Sequence, residues 1–151
     1  MKAINIQNLT NLLIMIKTFF LIFGASGSGK TSLAHSLMLM NPDNFCICEA
    51  DSYFYDNKGH YNFNPSKLGA AHASCQKRFE DALKADTQLV IVSNTSTTAK
   101  ERKIYVDKAA EYGYTTHVVL VERHLGTKSV HNVPQETLDR QVANLRNSIQ
   151  F

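Results

Sequence analysis

The stretch Gly24-Ala25-Ser26-Gly27-Ser28-Gly29-Lys30-Thr31 constrains this chain most, because it follows the apolar run Phe19-Phe20-Leu21-Ile22-Phe23 directly. Glycines at a strand-to-helix junction let the backbone curl with its N–H groups turned inward, where they can replace water around a polyphosphate. The pattern is a complete Walker A loop, and its other members have defined tasks. Lys30 is placed to reach the β- and γ-phosphates, and Thr31 to offer a hydroxyl to Mg²⁺. The helix that opens here, with Ser32 in its first turn, points its positive dipole end at the anion. An ordinary Gly/Ser turn would account for the glycines but not for Lys30 and Thr31 at this spacing. The loop therefore predicts a bound nucleoside triphosphate.

The chain has 151 residues, enough for one domain with a core of its own. A formal net charge of +3 permits a nucleic-acid partner without requiring one, since phosphate ligands explain it equally. Cys46, Cys48 and Cys75 show no Cys/His ligand spacing; the first two alternate along a strand, which suits packing and a reducing, cytoplasmic setting. The apolar stretch from Leu12 to Phe23 is too short to span a bilayer and is broken by Lys17, so no membrane segment is expected. Residues 1–14 match no part of a nucleotide-binding unit. They read as an appended extension or an upstream translation start before Met15, with the nucleotide-binding domain over 15–151.

Strands and helices alternate along the rest. Lys17 to Phe23 reads as a buried parallel strand, Gly29 to Met40 as the helix after the loop, and Phe45 to Cys48 as a second strand. A polar, aromatic-rich loop from Ser52 to Ser66 leads to a helix from about Lys67 to Ala85. Leu89 to Val92 forms a third strand ending in Ser93-Asn94-Thr95, and Thr98 to Tyr112 a helix stopped by Gly113. Thr116 to Val121 is the fourth strand, Glu122 to Val133 a polar loop, and a last helix starts at Pro134. This order predicts an α/β P-loop NTPase fold of kinase-like type: three layers, α/β/α, around a parallel sheet of about four strands with right-handed crossovers.

Ligands bind open α/β sheets at the carboxyl ends of the strands, which makes the residues there the next candidates. Asp51 follows the second strand and can face the end of a triphosphate, where it would accept a proton from an attacking hydroxyl or hold a water on Mg²⁺. A turn-capping Asp is the plainer alternative. Glu49, two residues earlier, can share the role or merely flank it. Asn94 and Thr95 end the third strand and can hydrogen-bond a substrate hydroxyl, or simply form a turn. Arg123 and Lys128 lie in the loop after the fourth strand, where a cation closing over a transferred phosphoryl group would be useful and where solvated surface charges are also common. His72 reads as a packed or capping residue. Tyr53, Phe54, Tyr55, Tyr61 and Phe63 can clamp a substrate or anchor their loop.

Taken together, Glu49 to Phe54, Gly59 to Pro65, Ala71-His72, Ser93 to Ser96 and His131-Asn132-Val133-Pro134 resemble the P-loop kinases related to the polynucleotide 5′-hydroxyl kinases. The form they are most similar to is the zeta-toxin-like, AAA-type ATP-binding group, whose members occur in phages and as domains of larger eukaryotic proteins. The resemblance implies that Asp51 is the general base, that Asn94 and Thr95 border the acceptor, and that Lys128 stands where those kinases carry a lid arginine. Lys keeps the charge and loses the planar fork, so Arg123 is the alternative clamp. Phe54 replaces an acceptor-holding arginine, and Asn94 an aspartate, of the polynucleotide kinases.

The expected function is thus an ATP- and Mg²⁺-dependent transfer of the γ-phosphate to a hydroxyl. A nucleic-acid or nucleotide 5′-hydroxyl is the leading acceptor, with Tyr53 and Phe54 on the substrate side. A nucleotide-sugar kinase is the rival, because Lys58 is the one cation in the span from Tyr53 to Phe63. A third reading is a non-catalytic ATP-binding module, suggested by the missing arginines. Acceptor identity and oligomeric state are not legible in the residues.

Overall fold

Alternation along the first strand sets the layers. In the computed structural model, which describes residues 16–122 and 131–149, β1 (Thr18–Phe23) turns Phe19 and Leu21 to one face and Phe20 and Ile22 to the other. The expected extension over residues 1–14, and Arg123 and Lys128, lie outside the described residues. Both faces are apolar because helices cover both, the condition that makes a parallel strand read as a continuous apolar run.

The remaining elements are α1 (Lys30–Met38), β2 (Phe45–Cys48), α2 (Leu68–Lys84), β3 (Leu89–Asn94), α3 (Ala99–Glu111), β4 (Thr115–Leu120) and α4 (Gln135–Ser148). Short 3₁₀ helices cover Ala50–Phe54 and Pro65–Lys67. All strands are parallel in the order β2-β3-β1-β4, so the α/β architecture expected from the sequence is the one observed. Helix α1 packs on Ile22, Leu89 and Ile91 through Ala34, Leu33 and Leu37. On the opposite face, Ala71, Cys75, Phe79 and Leu83 of α2 and Tyr105 and Ala109 of α3 cover Phe19, Leu21, Val90 and Val92. The last helix, α4, sets Leu145 against Phe23 and Ala25, at the mouth of the Walker loop.

Boundaries follow local chemistry. Helix α3 starts on a capping box, in which Thr98 Oγ1 accepts from the Glu101 amide at 3.3 Å and Glu101 returns to the Thr98 amide at 2.9 Å. Strand β3 runs two residues beyond the purely apolar stretch, since Ser93 and Asn94 still pair in register with Ile22 and Phe23. That pairing places the ends of β1, β3 and β4 side by side, at Phe23, Asn94 and Leu120, and Cys48 of β2 opposite Val92. The strand ends therefore form one edge, and the loops leaving it share a surface.

Gly24 is the tightest point of that edge. Its φ of +151° disfavours an L side chain, and a Cβ there would be driven into the Val121 carbonyl. The close approach lets Gly24 N–H donate to Thr95 O at 3.2 Å while Val121 N–H donates to Phe23 O at 2.8 Å, binding three strand ends together. Gly24→Ala should lose about 3 kcal/mol of stability from backbone clash and strain, read as a lowered midpoint in urea unfolding.

Candidate functional site

The Walker loop leaves β1 through Gly24 and enters α1 through Gly29, whose φ of +103° and ψ of 13° are left-handed. No side chain caps α1 and no acidic residue sits in its first turn, so its leading N–H groups are left for an anion. Ser28 contributes a buried hydroxyl with no hydrogen-bond partner among the described residues. A buried donor left this way inside a loop of inward amides fits a polar ligand. Lys30 Nζ donates to Ala25 O at 2.9 Å, lying back across the loop it belongs to.

Two carboxylates reach this lysine from the end of β2. Glu49 keeps an extended backbone (φ −128°, ψ 133°), and its Oε1 accepts from the Thr31 hydroxyl at 2.9 Å. The chain turns into a 3₁₀ helix at Ala50, and Asp51 projects from its first turn, about half exposed. Burial lowers the Lys30 ammonium to about 8, and the charges of Asp51 and then Glu49 pull it back upward. The two acids face one cation but do different things: Glu49 is committed to Thr31, while Asp51 points toward the aromatic loop.

That loop is a tight hairpin. Tyr55 and Tyr61 form an antiparallel bridge, Asn62 N–H donates to Phe54 O at 2.8 Å, and Gly59 supplies the left-handed turn at φ +81°. Asp56 accepts from the amides of Lys58 at 2.8 Å and His60 at 2.9 Å, which hold its carboxyl below the usual range, the His60 amide most. Phe54 is 4 % exposed and packs edge-on to Tyr53, Tyr61 and Phe63, anchoring the hairpin in the core. Tyr53 and Phe63 are exposed and line an open cleft of about 490 Å³ with Tyr55, Asn62, Asn64 and Lys67.

On the inner side of the hairpin the Tyr61 phenol is pushed up to about 12, by burial first and then by the Asp51 charge. His131 completes this corner: its ring stacks on Tyr61 with centroids 4.0 Å apart, and its Nε2 lies 3.6 Å from Asp51 Oδ2.

Asn94 lies beneath these groups, 7 % exposed. Its Oδ1 accepts from Ala50 N–H at 2.8 Å, and its Nδ2 donates to Cys75 Sγ at 3.4 Å. Both ends of the side chain are thus engaged with protein, and it holds the Glu49–Asp51 segment from below. Thr95 is half-buried, and its carbonyl receives the Gly24 amide. His72 lines a separate cleft of about 180 Å³ with Gln76, Ser96, Glu101, Ile104 and Tyr105. The structure thus brings Lys30, Thr31, Glu49 and Asp51 together and leaves His72 apart.

Sequence reasoning had no signal for Gln141, a polar residue on an amphipathic helix whose Oε1 accepts from Ser26 N–H at 2.9 Å and ties α4 to the Walker loop. Nor did it single out Tyr61 or His131 as neighbours of Asp51: Tyr61 is brought back by the hairpin turn at Gly59, and His131 comes from the far end of the chain. Magnesium needs few protein ligands when phosphate oxygens supply the rest. Thr31 and the Glu49 carboxylate beside it suit that role, and among the described residues no group of three His, Cys, Asp or Glu side chains could hold a metal by itself.

The family described as "AAA domain" matches residues 19–147, nearly the whole of the described structure. This chain belongs to that family. It is 33% identical to human NEDD4-binding protein 2 over 129 residues, which are 81% of this chain but only 7% of that protein. A phage origin finds no support among these matches. The fold is similar to a chain of the Pnkp1/Rnl/Hen1 RNA repair complex, with a TM-score of 0.67 and 16% identity over 88% of this chain and 45% of that one. It is also similar to an APS kinase of Mycobacterium tuberculosis, with a TM-score of 0.52 and 18% identity over 87% of this chain and 98% of that one. The fold is therefore a kinase-like P-loop fold. Among the described residues no helix is long and apolar enough to cross a membrane.

The lowered Lys30 makes a measurable demand on ligand binding. A polyphosphate against Lys30 favours its charged form, so binding above pH 8 must take up a proton that the free site lacks. Calorimetric titration of ATP in buffers of different ionisation enthalpy should show uptake approaching about one proton at pH 9 and about a tenth of one at pH 7. Affinity should fall as pH rises above 8, and Lys30→Met should abolish the uptake.

Proposed function

We propose that this protein is an ATP- and Mg²⁺-dependent phosphotransferase that moves the γ-phosphoryl group to a hydroxyl acceptor. The observation that carries the reading is the division of labour between the two carboxylates: Glu49 bonds the Walker threonine while Asp51 stands free of it, half exposed, between Lys30 and the aromatic hairpin. A binding-only module needs the first arrangement. The second is what a reaction with an incoming hydroxyl requires.

The inward amides of Gly24 to Thr31, with Ser32 behind them and the charge of Lys30, hold the donor phosphates and oppose the negative charge that spreads over the transferred group. Thr31 would hold Mg²⁺ together with phosphate oxygens, and Glu49 would keep that hydroxyl oriented. When bound, Mg²⁺ would offset negative charge on the donor phosphates. An acceptor oxygen entering from the hairpin side attacks phosphorus in line with the bond to the β-phosphate, and that bond breaks with its electron pair leaving on ADP. The acceptor proton passes to the Asp51 carboxylate. Arg123 and Lys128 are the proposed cations over the transferred phosphate, on sequence grounds.

For the acceptor, a nucleic-acid or nucleotide 5′-hydroxyl is the reading that the family resemblance supports, and the exposed rings of Tyr53 and Phe63 on the hairpin offer a surface on which a base can stack. A nucleotide sugar is the second reading, favoured by the aromatic lining of the cleft and its single cation, Lys67. The free thiols Cys46, Cys48 and Cys75 accord with a reducing, cytoplasmic setting.

Radiolabelled ATP offered with 5′-hydroxyl oligonucleotides, nucleosides and nucleotide sugars should label one class. Asp51→Asn should lower that transfer by about a thousandfold or more while ATP affinity changes less than about twofold. Transfer at an undiminished rate in Asp51→Asn would remove Asp51 as the base.

A further inference from the structure

The acceptor side of the site is closed by a residue from the far end of the chain. His131 precedes α4 in a segment whose path is fixed: Asn132 takes a left-handed φ of +50°, a conformation Asn tolerates, and Pro134 starts the helix with its carbonyl accepting from Thr137 and Leu138. Leu138, 5 % exposed, seats that first turn in the core. The imidazole is thereby delivered onto the aromatic hairpin, stacked on Tyr61 at 4.0 Å and 24° and edge-on to Tyr55 at 6.4 Å.

We propose that His131 is a positioning residue for the acceptor half of the site: its ring, stacked on Tyr61, stands against the Asp51 carboxylate and fixes its orientation. The inference rests on the reading of Asp51 as the base. It goes beyond that reading by assigning the Tyr61–His131 pair a task in the transfer step.

Three observations converge on it. The Asp51 charge acts on the Tyr61 phenol, so the Tyr61 ring borders the carboxylate. The ring's angle is in turn held on its two sides, by the backbone bridge to Tyr55 and by the His131 face. His131 Nε2 also lies 3.6 Å from Asp51 Oδ2, too long for a formed hydrogen bond but close enough that the imidazole occupies the space into which the carboxylate would otherwise rotate. The groups around Asp51 are therefore Lys30 from α1, Glu49 from the end of β2, Tyr61 from the hairpin and His131 from the entry to α4. Of these, Lys30 and Glu49 serve the donor half. The contacts of His131 described above are with Tyr55, Tyr61 and Asp51, on the acceptor side.

Full-length protein with His131→Ala and His131→Phe should be compared with the unsubstituted chain in two measurements. In transfer from ATP to a 5′-hydroxyl oligonucleotide, His131→Ala should lower kcat by about tenfold to a hundredfold with the KM for ATP unchanged, and His131→Phe, which keeps the stack, should recover most of the loss. The second measurement needs no acceptor: Tyr61 is held near 12, and exposing its ring in His131→Ala should bring its NMR-detected titration down toward 10, with His131→Phe restoring it. A His131→Ala protein with unchanged kcat and unmoved Tyr61 titration overturns the assignment. So does a parallel loss of ATP affinity, which would mark a general structural role. If no acceptor is phosphorylated, the Tyr61 titration decides alone; if Asp51→Asn retains transfer, the function reading fails while the clamp itself is still judged by Tyr61.

Discussion

One buried side chain, the amide of Asn94, sets where both carboxylates of the site can stand. Its Oδ1 takes the Ala50 N–H at 2.8 Å, and its Nδ2 is turned to Cys75 Sγ in the core under α2. An unpaired amide buried here would cost about 1–3 kcal/mol, so the bond to Ala50 is strongly favoured once β3 carries Asn94 inward. Fixing Ala50 ends β2 at a defined point, and the residues on either side diverge from it. Glu49 stays extended and meets Thr31, whereas Asp51 enters a 3₁₀ turn and meets Tyr61. The donor and acceptor halves of the site are two outcomes of one pinned peptide.

What the sequence makes legible is what local chemistry decides. The glycines and lysine of the Walker loop, the apolar run of β1 and the stop at Gly113 each act within a few residues, and each stands where those residues predict. The facing of Asn94 is not legible in the sequence, because a strand-end polar residue can point into a ligand site or back into the protein, and its bonds to Ala50 and Cys75 decide between them. Glu49 and Asp51, two apart, would share a face on a continued strand. The strand instead stops at Cys48, so period two no longer governs Asp51. An aromatic cluster in a loop can meet a substrate or anchor the loop; Phe54 is buried and also borders the open cleft, while Tyr53 and Phe63 are exposed along it.

Electrostatics bind the two halves together. Lys30 is lowered by burial, and the carboxylates on either side moderate that effect, so the same acids that serve Thr31 and the hairpin also keep the phosphate-binding lysine protonatable. Removing either acid would thus lower Lys30 further, an effect on the donor side confined to alkaline pH, where Lys30 gives up its proton.

The last helix explains why the site needs nearly the whole domain. Gln141 holds the Ser26 amide, Leu145 packs against Phe23 and Ala25, and at its end Ser148 receives Arg102 at 3.1 Å. Arg102 is itself buried, bonded to Ser96 O at 2.9 Å and stacked 4.5 Å over the Phe23 ring. A buried guanidinium is tolerated only where its donors are taken up, and here they are taken up by the end of β3 and the end of α4. The entry of α4 carries His131 to Asp51, and its body carries Gln141 to the Walker loop. A displacement of α4 would therefore be felt at the donor loop and at the acceptor base together, although the helix supplies neither the phosphate-binding lysine nor the carboxylate.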